Sequence, residues 1–463
     1  MFLFAGSPNV NSMGQKSQLA SYGLFDAKVP RYTSYPTVQD FCADVDATVF
    51  ADWLMRIPPG SQVSLYVHIP FCRKLCWFCA CRTQSAQSDE QVRHYVEALK
   101  AEMALIKSRL PEGVTLSHVH WGGGTPNLLA GDMIRTLAKA QYDLAPLVPD
   151  GDFSVEIDPN ECSAEGLDAL CEAGMTRASI GVQDFDIEIQ QAIGRLQSYE
   201  ATHCLIEMLR GRGVDDISAD LLLGLPHQTP EQLTETVQKL LSFSPDRIAA
   251  YLYAHMPSVA RRQAMIPSET LPTPEARLEL FETAKRLFLW DGYREVGIDH
   301  FARGEDNLVR AQSEGRLRRS FQGYTDDTND VLIGIGASAI SRFPQGYIQN
   351  ATGTTAHAEA IAGGTFSSCR GHIFEGEDQV RGRLIEALLC DFRIQRDDIL
   401  ARFAVSAKWL EMILEKTASA FPGMIEVTQD GLFLREHARP LTRVIARSLD
   451  AHAFGTAGQP STT

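Results

Sequence analysis

SLYVHIPFCRKLCWFCAC, residues 64–81, is the stretch on which the fold turns. Val63–Ile69 is a short apolar run ended by Pro70, the pattern of a buried strand. The chain then enters a loop carrying Cys72, Cys76 and Cys79 at spacing C-x3-C-x2-C, with Cys81 two residues on. A strand that delivers three clustered thiols into one loop is the start of a ligand site.

Working outward, five more strand candidates follow: Leu116–Trp121, Phe153–Ile157, Ala178–Val182, Ile217–Leu222 and Ile248–Tyr253. Helical patterns fill the gaps. In Glu90–Leu110 the apolar set Val92, Tyr95, Val96, Leu99, Met103, Ile106 and Leu110 steps by three and four, one buried stripe. Further helices are predicted at Met133–Leu144, Ala164–Ala173, Ala201–Arg210, Pro230–Leu241 and Pro274–Leu289. Thr229-Pro230 and Thr273-Pro274 each supply an N-cap followed by proline at the first helical position. Six β-then-α units in series predict an α/β fold with a parallel sheet, best an open or incomplete barrel. Its active residues should sit at the strand C-terminal ends.

The ends of the chain read differently. Residues 1–60 lack strong periodicity, and PRYTSYPT (Pro30–Thr37) suggests an extended arm lying on something. Glu305–Arg319 is predicted helical. After Ser341, helices are predicted at Asp378–Cys390, Asp397–Phe403, Ala407–Ala418 and Ala438–Ala453, with a hairpin at Met424–Leu434 around Asp430-Gly431. Helices plus a hairpin give a mostly helical, winged-helix-like C-terminal domain, and the final GTAGQPSTT reads as a frayed tail. The expected division is an arm over 1–60, a barrel over 61–300, a flanking segment over 301–375 and the C-terminal domain over 376–463.

Composition excludes several classes. With 463 residues, 44% hydrophobic and 22% charged, the chain has the balance of a globular protein with ample core. Forty-three Lys and Arg against 58 Asp and Glu give a net charge of −15, a poor match for generic nucleic-acid or anionic-membrane binding. An anionic substrate would need a local basic pocket. No run approaches the roughly 18 apolar residues of a membrane span, and MFLFAGSPNVNSMGQ does not read as a signal peptide. A cytoplasmic location with reduced thiols is expected. Six of the ten cysteines, Cys42, Cys162, Cys171, Cys204, Cys369 and Cys390, are scattered singly and read as small buried hydrophobes.

The clustered cysteines carry the chemistry. Three thiolates at these spacings can hold three irons of a [4Fe–4S] cube and leave the fourth iron open. Zinc is the competing reading, but structural zinc sites usually draw paired ligands from two segments, and no second C-x2-C or H-x3-H partner occurs. An open iron on a low-potential cluster suits S-adenosylmethionine (SAM), which chelates it and yields a 5′-deoxyadenosyl radical on one-electron reduction. WGGGTP (Trp121–Pro126) follows the second strand; a GGG turn alone is a weak sign of close backbone approach to a ligand. Glu156, Gln183, Asp220 and Tyr253-Ala254-His255 fall at successive strand ends, with Arg195 on the following helical stretch. A carboxylate within an apolar strand must be paired, hydrogen-bonded or functional. Phe321 and Tyr324 in SFQGYT (Ser320–Thr325) could stack on a ligand or be core.

C-x3-C-x2-C is the signature of the radical-SAM enzymes, which this chain resembles. Across PRYTSYPT, SLYVHIPFCRKLCWFCAC, HWGGGTP, VEIDP, GVQDF, GLPHQTP, YAHMP, GIDHFAR and FQGYT it resembles oxygen-independent coproporphyrinogen III oxidases of the HemN type. The resemblance implies a partial (β/α)6 barrel. It also implies oxidative decarboxylation of two propionates of coproporphyrinogen III to vinyl groups, giving protoporphyrinogen IX in haem synthesis. Cys72, Cys76 and Cys79 then hold the [4Fe–4S] cluster. Tyr66, Gly123, Glu156 and Ile340 line the SAM on the cluster, and Phe78, Gly124, Thr125, Gln183, Arg195, Asp220 and Ala254 surround a second SAM. Cys81, Gln322 and Tyr66 are implied as catalytic, with Cys81 beside the cluster but not a ligand. Ala80 and Trp77 stand where the family pattern has glycine and tyrosine. The expected partners are coproporphyrinogen III, an electron donor and an electron acceptor, with no nucleic acid and no membrane span, for a monomer. Arg31, Arg261, Arg262 and Arg303 are candidates for the propionates. A haem chaperone of the same superfamily would lack Cys81 and the arm, and no His-Asn-x-x-Tyr-Trp stretch occurs. A haem-opening radical methyltransferase would also lack the arm.

Overall fold

The computed structural model describes residues 18–452. Its centre is a parallel sheet built strand by strand with helices outside. In chain order these elements are β1 (Gln62–Ile69), α1 (Asp89–Lys107), β2 (Thr115–Gly123), α2 (Gly131–Leu144), β3 (Leu147–Ile157), α3 (Ala164–Glu172), β4 (Arg177–Gln183), α4 (Tyr199–Arg210), β5 (Asp216–Leu223), α5 (Pro230–Ser242), β6 (Arg247–Leu252) and α6 (Pro274–Trp290). The six predicted strands pair in sequence order, all parallel. Both Thr-Pro helix starts cap as the sequence predicts: Thr229 accepts from Gln232 N and Thr273 from Ala276 N. The α1 stripe is buried from Val92 to Ile106, but the helix stops at Lys107, short of Leu110.

The sheet is larger than the six strands. The segment after α6 adds β7 (Arg294–Val296), β8 (His300–Ala302), β9 (Leu332–Ile335), β10 (Ile340–Phe343), β11 (Gly346–Asn350) and β12 (Ser368–Ile373). The twelve-stranded order is β12-β11-β10-β9-β1-β2-β3-β4-β5-β6-β8-β7. β9 lies parallel beside β1 and so extends the parallel run to a seventh strand, while the strands beyond it and beyond β6 are antiparallel.

Several local expectations are corrected. Glu305–Arg319 is not one helix: only Asn307–Ser313 is helical, and Gly315 at φ +68° turns the chain into strand Arg318–Ser320, which pairs with Gly323–Thr325. A helix at Ala47–Met55 escaped the periodicity reading because it buries only Phe50, Trp53 and Leu54; its signal was the cap, Asp46, which accepts from Thr48 N and Val49 N. Ala438–Ala453 reduces to a 3-10 turn, Glu436–Leu441, and a short helix, Thr442–Arg447, since Pro440 has no N–H for an α-helical bond. Residue 453 and the expected tail lie outside the described residues, as do residues 1–17.

The C-terminal unit is α7 (Asp378–Asp391), α8 (Arg396–Arg402) and α9 (Ala407–Ala420) against a three-stranded antiparallel sheet. The predicted hairpin supplies Ile425–Val427 and Gly431–Leu434, and Arg393–Gln395, too short to show a period, adds the third strand. The PRYTSYPT arm lies on this unit. Leu19, Leu24, Tyr32 and Tyr35 join the same core as Leu384, Leu388, Leu414 and Ile445. Burial of such side chains contributes about 1.5–3 kcal/mol each, so packing holds the arm. Tyr32 Oη donates to Asp450 at 3.0 Å, and Tyr35 Oη accepts from Ala451 N at 2.9 Å.

Candidate active site

The site is assembled where β1 and β2 end. Gly124 N donates to Ile69 O at 2.9 Å and Thr125 N to Phe71 O at 2.8 Å, which clips the glycine turn to the cysteine loop. A Cβ on Gly124 would lie 2.5 Å from Phe71 O, and one on Gly123, at φ +111°, would lie 2.4 Å from the His68 ring. The glycines are required because protein backbone and His68 occupy that space. Trp77 N donates to Ile193 O, and the Trp77 ring lies where a Cβ on Gly194 would come within 2.8 Å. The tryptophan therefore presses the loop onto the turn that carries Arg195.

Cys72, Cys76 and Cys79 are unpaired thiols, half-buried and electrostatically coupled. Burial pushes Cys72 up to about 11 and raises Cys76 as well. Cys79 accepts the Cys81 thiol hydrogen bond, which lowers it to about 6. Cys81 N also donates to Cys79 Sγ at 3.4 Å. Arg195 Nη1 donates to Cys76 Sγ at 3.6 Å and to Asp158 Oδ2 at 3.1 Å; Nη2 donates to Gly181 O and Gln197 Oε1. Its Nε is buried without a partner.

A cavity of about 590 Å³ opens beside the loop. Phe78, Cys79, Cys81, Glu156, Gln183, Asp220, Ala254 and Gln322 line it, so residues spread over 245 positions meet in one space. Glu156 accepts from Gly123 N at 2.9 Å and from His120 Nε2 at 3.3 Å. Burial would raise its carboxyl, but His120 and the Gly123 N–H hold it below the usual range. Asp220 faces the cavity with no hydrogen-bond partner among the described residues; burial, then Glu156, pushes it up to about 7. Gln183 ends β4 at φ +68°, a strained conformation for a non-glycine residue, of the kind that clusters at ligand sites.

Tyr66, Gly123, Gly124, Thr125, Arg195 and Ile340 do not line this cavity. They stand behind or beside its wall. Tyr66 stacks on His120 at 5.8 Å and shares a hydrogen bond with His68 Nδ1 at 2.9 Å. Tyr66 pairs with Gly334, against which Ile340 packs: a Cβ on Gly334 would meet Ile340 O at 2.7 Å. The Thr125 hydroxyl bonds the Cys72 thiol. Phe321 and Tyr324 both border the cavity, and Tyr324 is also fixed in the core, donating to Leu389 O at 2.6 Å and accepting from Ile298 N at 3.0 Å.

The basic pocket demanded by an anionic substrate is present and largely unforeseen. Arg31, Arg318, Arg319, Arg342 and Arg443 all line the cavity. Arg319 and Arg443 share Asp299, whose carboxyl is held far below the usual range: burial opposes this, but Arg319, His300 and Arg443 outweigh it. Arg31 donates to Leu252 O at 2.9 Å. Arg342 has no hydrogen-bond or ion-pair partner among the described residues. Of the four arginines singled out in sequence, Arg31 alone lines the wall. Arg262 instead ties Cys81 O and Thr83 Oγ1, and Arg303 lies over Tyr293 at 4.7 Å. Only GIDHFAR, which carries Asp299 and His300, hinted at this wall.

The donors fit an iron–sulfur cluster and a polar nucleoside ligand: three free thiols on one loop, an unpartnered Asp220 carboxyl and an unpartnered Arg195 Nε. Residues 66–240 match the Radical SAM superfamily. The chain is 58% identical over 448 residues to the oxygen-independent coproporphyrinogen III oxidase of Cereibacter sphaeroides, covering 97% of this chain and 99% of that protein. It is 56% identical to the oxygen-independent coproporphyrinogen III oxidase of Paracoccus denitrificans, covering 96% and 99%. The solved structure of coproporphyrinogen III oxidase (HemN) from Escherichia coli, a radical SAM enzyme, superimposes with a TM-score of 0.86 at 33% identity, covering 92% of this chain and 100% of that one.

Proposed function

This chain belongs to the oxygen-independent coproporphyrinogen III oxidases, enzymes of the radical-SAM superfamily, and from that premise we propose how its residues divide the work. The reaction is oxidative decarboxylation of coproporphyrinogen III to protoporphyrinogen IX in haem biosynthesis. When bound, the [4Fe–4S] cluster and SAM supply an electron and a 5′-deoxyadenosyl radical that takes hydrogen from a propionate β-carbon.

Cys72, Cys76 and Cys79 hold three irons and leave one for SAM. Tyr66, Gly123, Glu156 and Ile340 position that SAM, with Glu156 kept ionised by His120 and Gly123. Phe78, Gly124, Thr125, Gln183, Arg195, Asp220 and Ala254 hold a second SAM, one for each propionate. Cys81 and Gln322, which line the cavity, act at the reacting carbon, and Tyr66 supports the site from behind the wall through His68 and His120. Arg342 and Arg31 take substrate carboxylates, because their guanidinium groups face the cavity and neither is neutralised by an ion pair. Each propionate gives up one hydrogen atom, one electron and CO2, so an acceptor must remove that electron and a donor must reduce the cluster.

The enzyme works as a monomer in the cytoplasm. The arm, the barrel and the C-terminal unit of one chain together line the cavity, through Arg31, Asp220 and Arg443 among others. All ten cysteines are free thiols, which suits a reducing compartment. No helix among the described residues is long and apolar enough to cross a membrane.

One observation carries the division of labour: the cysteine loop, the strand-end polar groups and the arginine wall open onto one cavity. The test is anaerobic reconstitution with iron and sulfide, then incubation with SAM, a reductant and coproporphyrinogen III. Two SAM consumed per protoporphyrinogen IX is expected. Wild-type rates in Gln183→Ala and Asp220→Ala would remove the second-SAM assignment.

A further inference from the structure

Away from the cavity, three potential metal ligands converge from three elements. His372 lies on β12, Asp378 opens α7, and His452 is the last described residue. His372 Nε2 is 2.7 Å from Asp378 Oδ2, and His452 Nε2 is 2.8 Å from Asp378 Oδ1. The three donor atoms all lie within 4.8 Å of one another, and no other such group of three occurs among the described residues. We propose that His372, Asp378 and His452 form a binding site for one zinc-type divalent cation, which clamps the segment that follows Thr442–Arg447 to the sheet edge and the start of the C-terminal unit.

The donor set selects the ion class. Two imidazole nitrogens and one carboxylate suit zinc and its first-row neighbours, whereas calcium and magnesium take oxygen donors almost throughout. Each of the three side chains is flanked by a neighbour that restricts its position. The Tyr35 ring meets His452 edge-on at 5.5 Å, Phe374 packs on His372 at 6.4 Å, and Glu375 N donates to Asp378 Oδ2 at 3.0 Å.

There is also room. The two imidazoles touch different oxygens of Asp378, and the three donors lie within 4.8 Å of one another; Zn–N and Zn–O bonds of roughly 2.0–2.2 Å at tetrahedral angles need donors roughly 3.3 Å apart, a spacing that small side-chain shifts reach. His452 is 27% exposed and can move outward, which leaves the open side for water as a fourth ligand. Binding requires both Nε2 atoms to be bare, with the ring protons carried on Nδ1. The clamp lies beside the arm, since Ala451 N and Asp450 bind Tyr35 and Tyr32.

The competing arrangement is a metal-free clip in which both imidazoles donate to Asp378. Titrating the cluster-loaded, full-length chain anaerobically with Zn2+, followed by gel filtration and metal counting, separates the two. Wild type should retain one zinc more per chain than His372→Ala or His452→Ala, and zinc should raise the Tm of wild type alone. Equal zinc in wild type and both variants leaves only the clip and overturns the proposal. Because a variant could misfold, Co2+ in the wild type is the second readout. Visible d–d bands without a thiolate charge-transfer band are expected; a thiolate band would place the metal on cysteines and overturn the assignment. Neither readout depends on turnover, so a failed activity assay and a failed metal site are separate results.

Discussion

Arg195 Nη1 lies 3.6 Å from Cys76 Sγ although 119 positions separate the two residues. The contact exists because the Trp77 ring seats the cysteine loop on Gly194. Hydrogen bonds to sulfur are among the terms that set a cluster's reduction potential. Arg195→Ala is therefore expected to shift the potential to more negative values. A spectroelectrochemical titration reads it, and an unchanged potential would show that the contact does not tune the cluster.

Cys81 is expected to matter for turnover without holding iron. Its thiol bonds Cys79 and its carbonyl is tied by Arg262 at 3.2 Å. Four protein thiolates would close every iron and leave SAM no site. Cys72→Ser should lose most of the cluster, while Cys81→Ser should keep its iron and visible absorption yet form little protoporphyrinogen. Equal iron loss in both would make Cys81 a ligand.

Gly124→Ala would put a methyl group 2.5 Å from Phe71 O, a backbone atom that cannot swing aside. Relief must come by parting the glycine turn from the cysteine loop, at a cost of about 1–3 kcal/mol. Lower cluster occupancy after reconstitution and a lower Tm are the expected outcomes.

Arg342 supplies cationic charge to the cavity without an ion-pair partner. A lost charge-assisted hydrogen bond is worth roughly 1.5–3 kcal/mol. Arg342→Ala should therefore raise KM for coproporphyrinogen III by roughly ten- to hundredfold, and Arg342→Lys should recover part of it. An unchanged KM would place the carboxylates elsewhere.

Glu102 is fully buried on α1, where it accepts from Gly336 N at 2.7 Å and from Asn350 Nδ2 at 2.8 Å. Burial raises its carboxyl to about 8, against the two hydrogen bonds. A carboxyl with a raised folded-state pKa stabilises the fold below its unfolded value, and that stability is lost as pH rises through the folded value. Wild type should thus lose stability relative to Glu102→Gln between about pH 4.5 and about pH 8. Urea unfolding across that range checks it; parallel curves would mean that Glu102 does not titrate with folding.

The parallel sheet, the cysteine loop and most of the strand-end polar groups are legible in the order of the amino acids. Each is written locally: a period of two or 3.6, a Thr-Pro cap, a fixed cysteine spacing. The 3-10 turn at Pro440 and the break at Gly315 were also written locally, but apolar periodicity outvoted them. Tertiary structure alone decided the rest. β9 joins β1 from 268 positions away, a pairing of backbones that leaves no mark on either strand. The arginine wall draws Arg31 from the arm, Arg342 from β10 and Arg443 from the last helix. A lone arginine reads the same in sequence on a surface as in a cavity, because its charge is local but its burial is set by whatever chain folds over it.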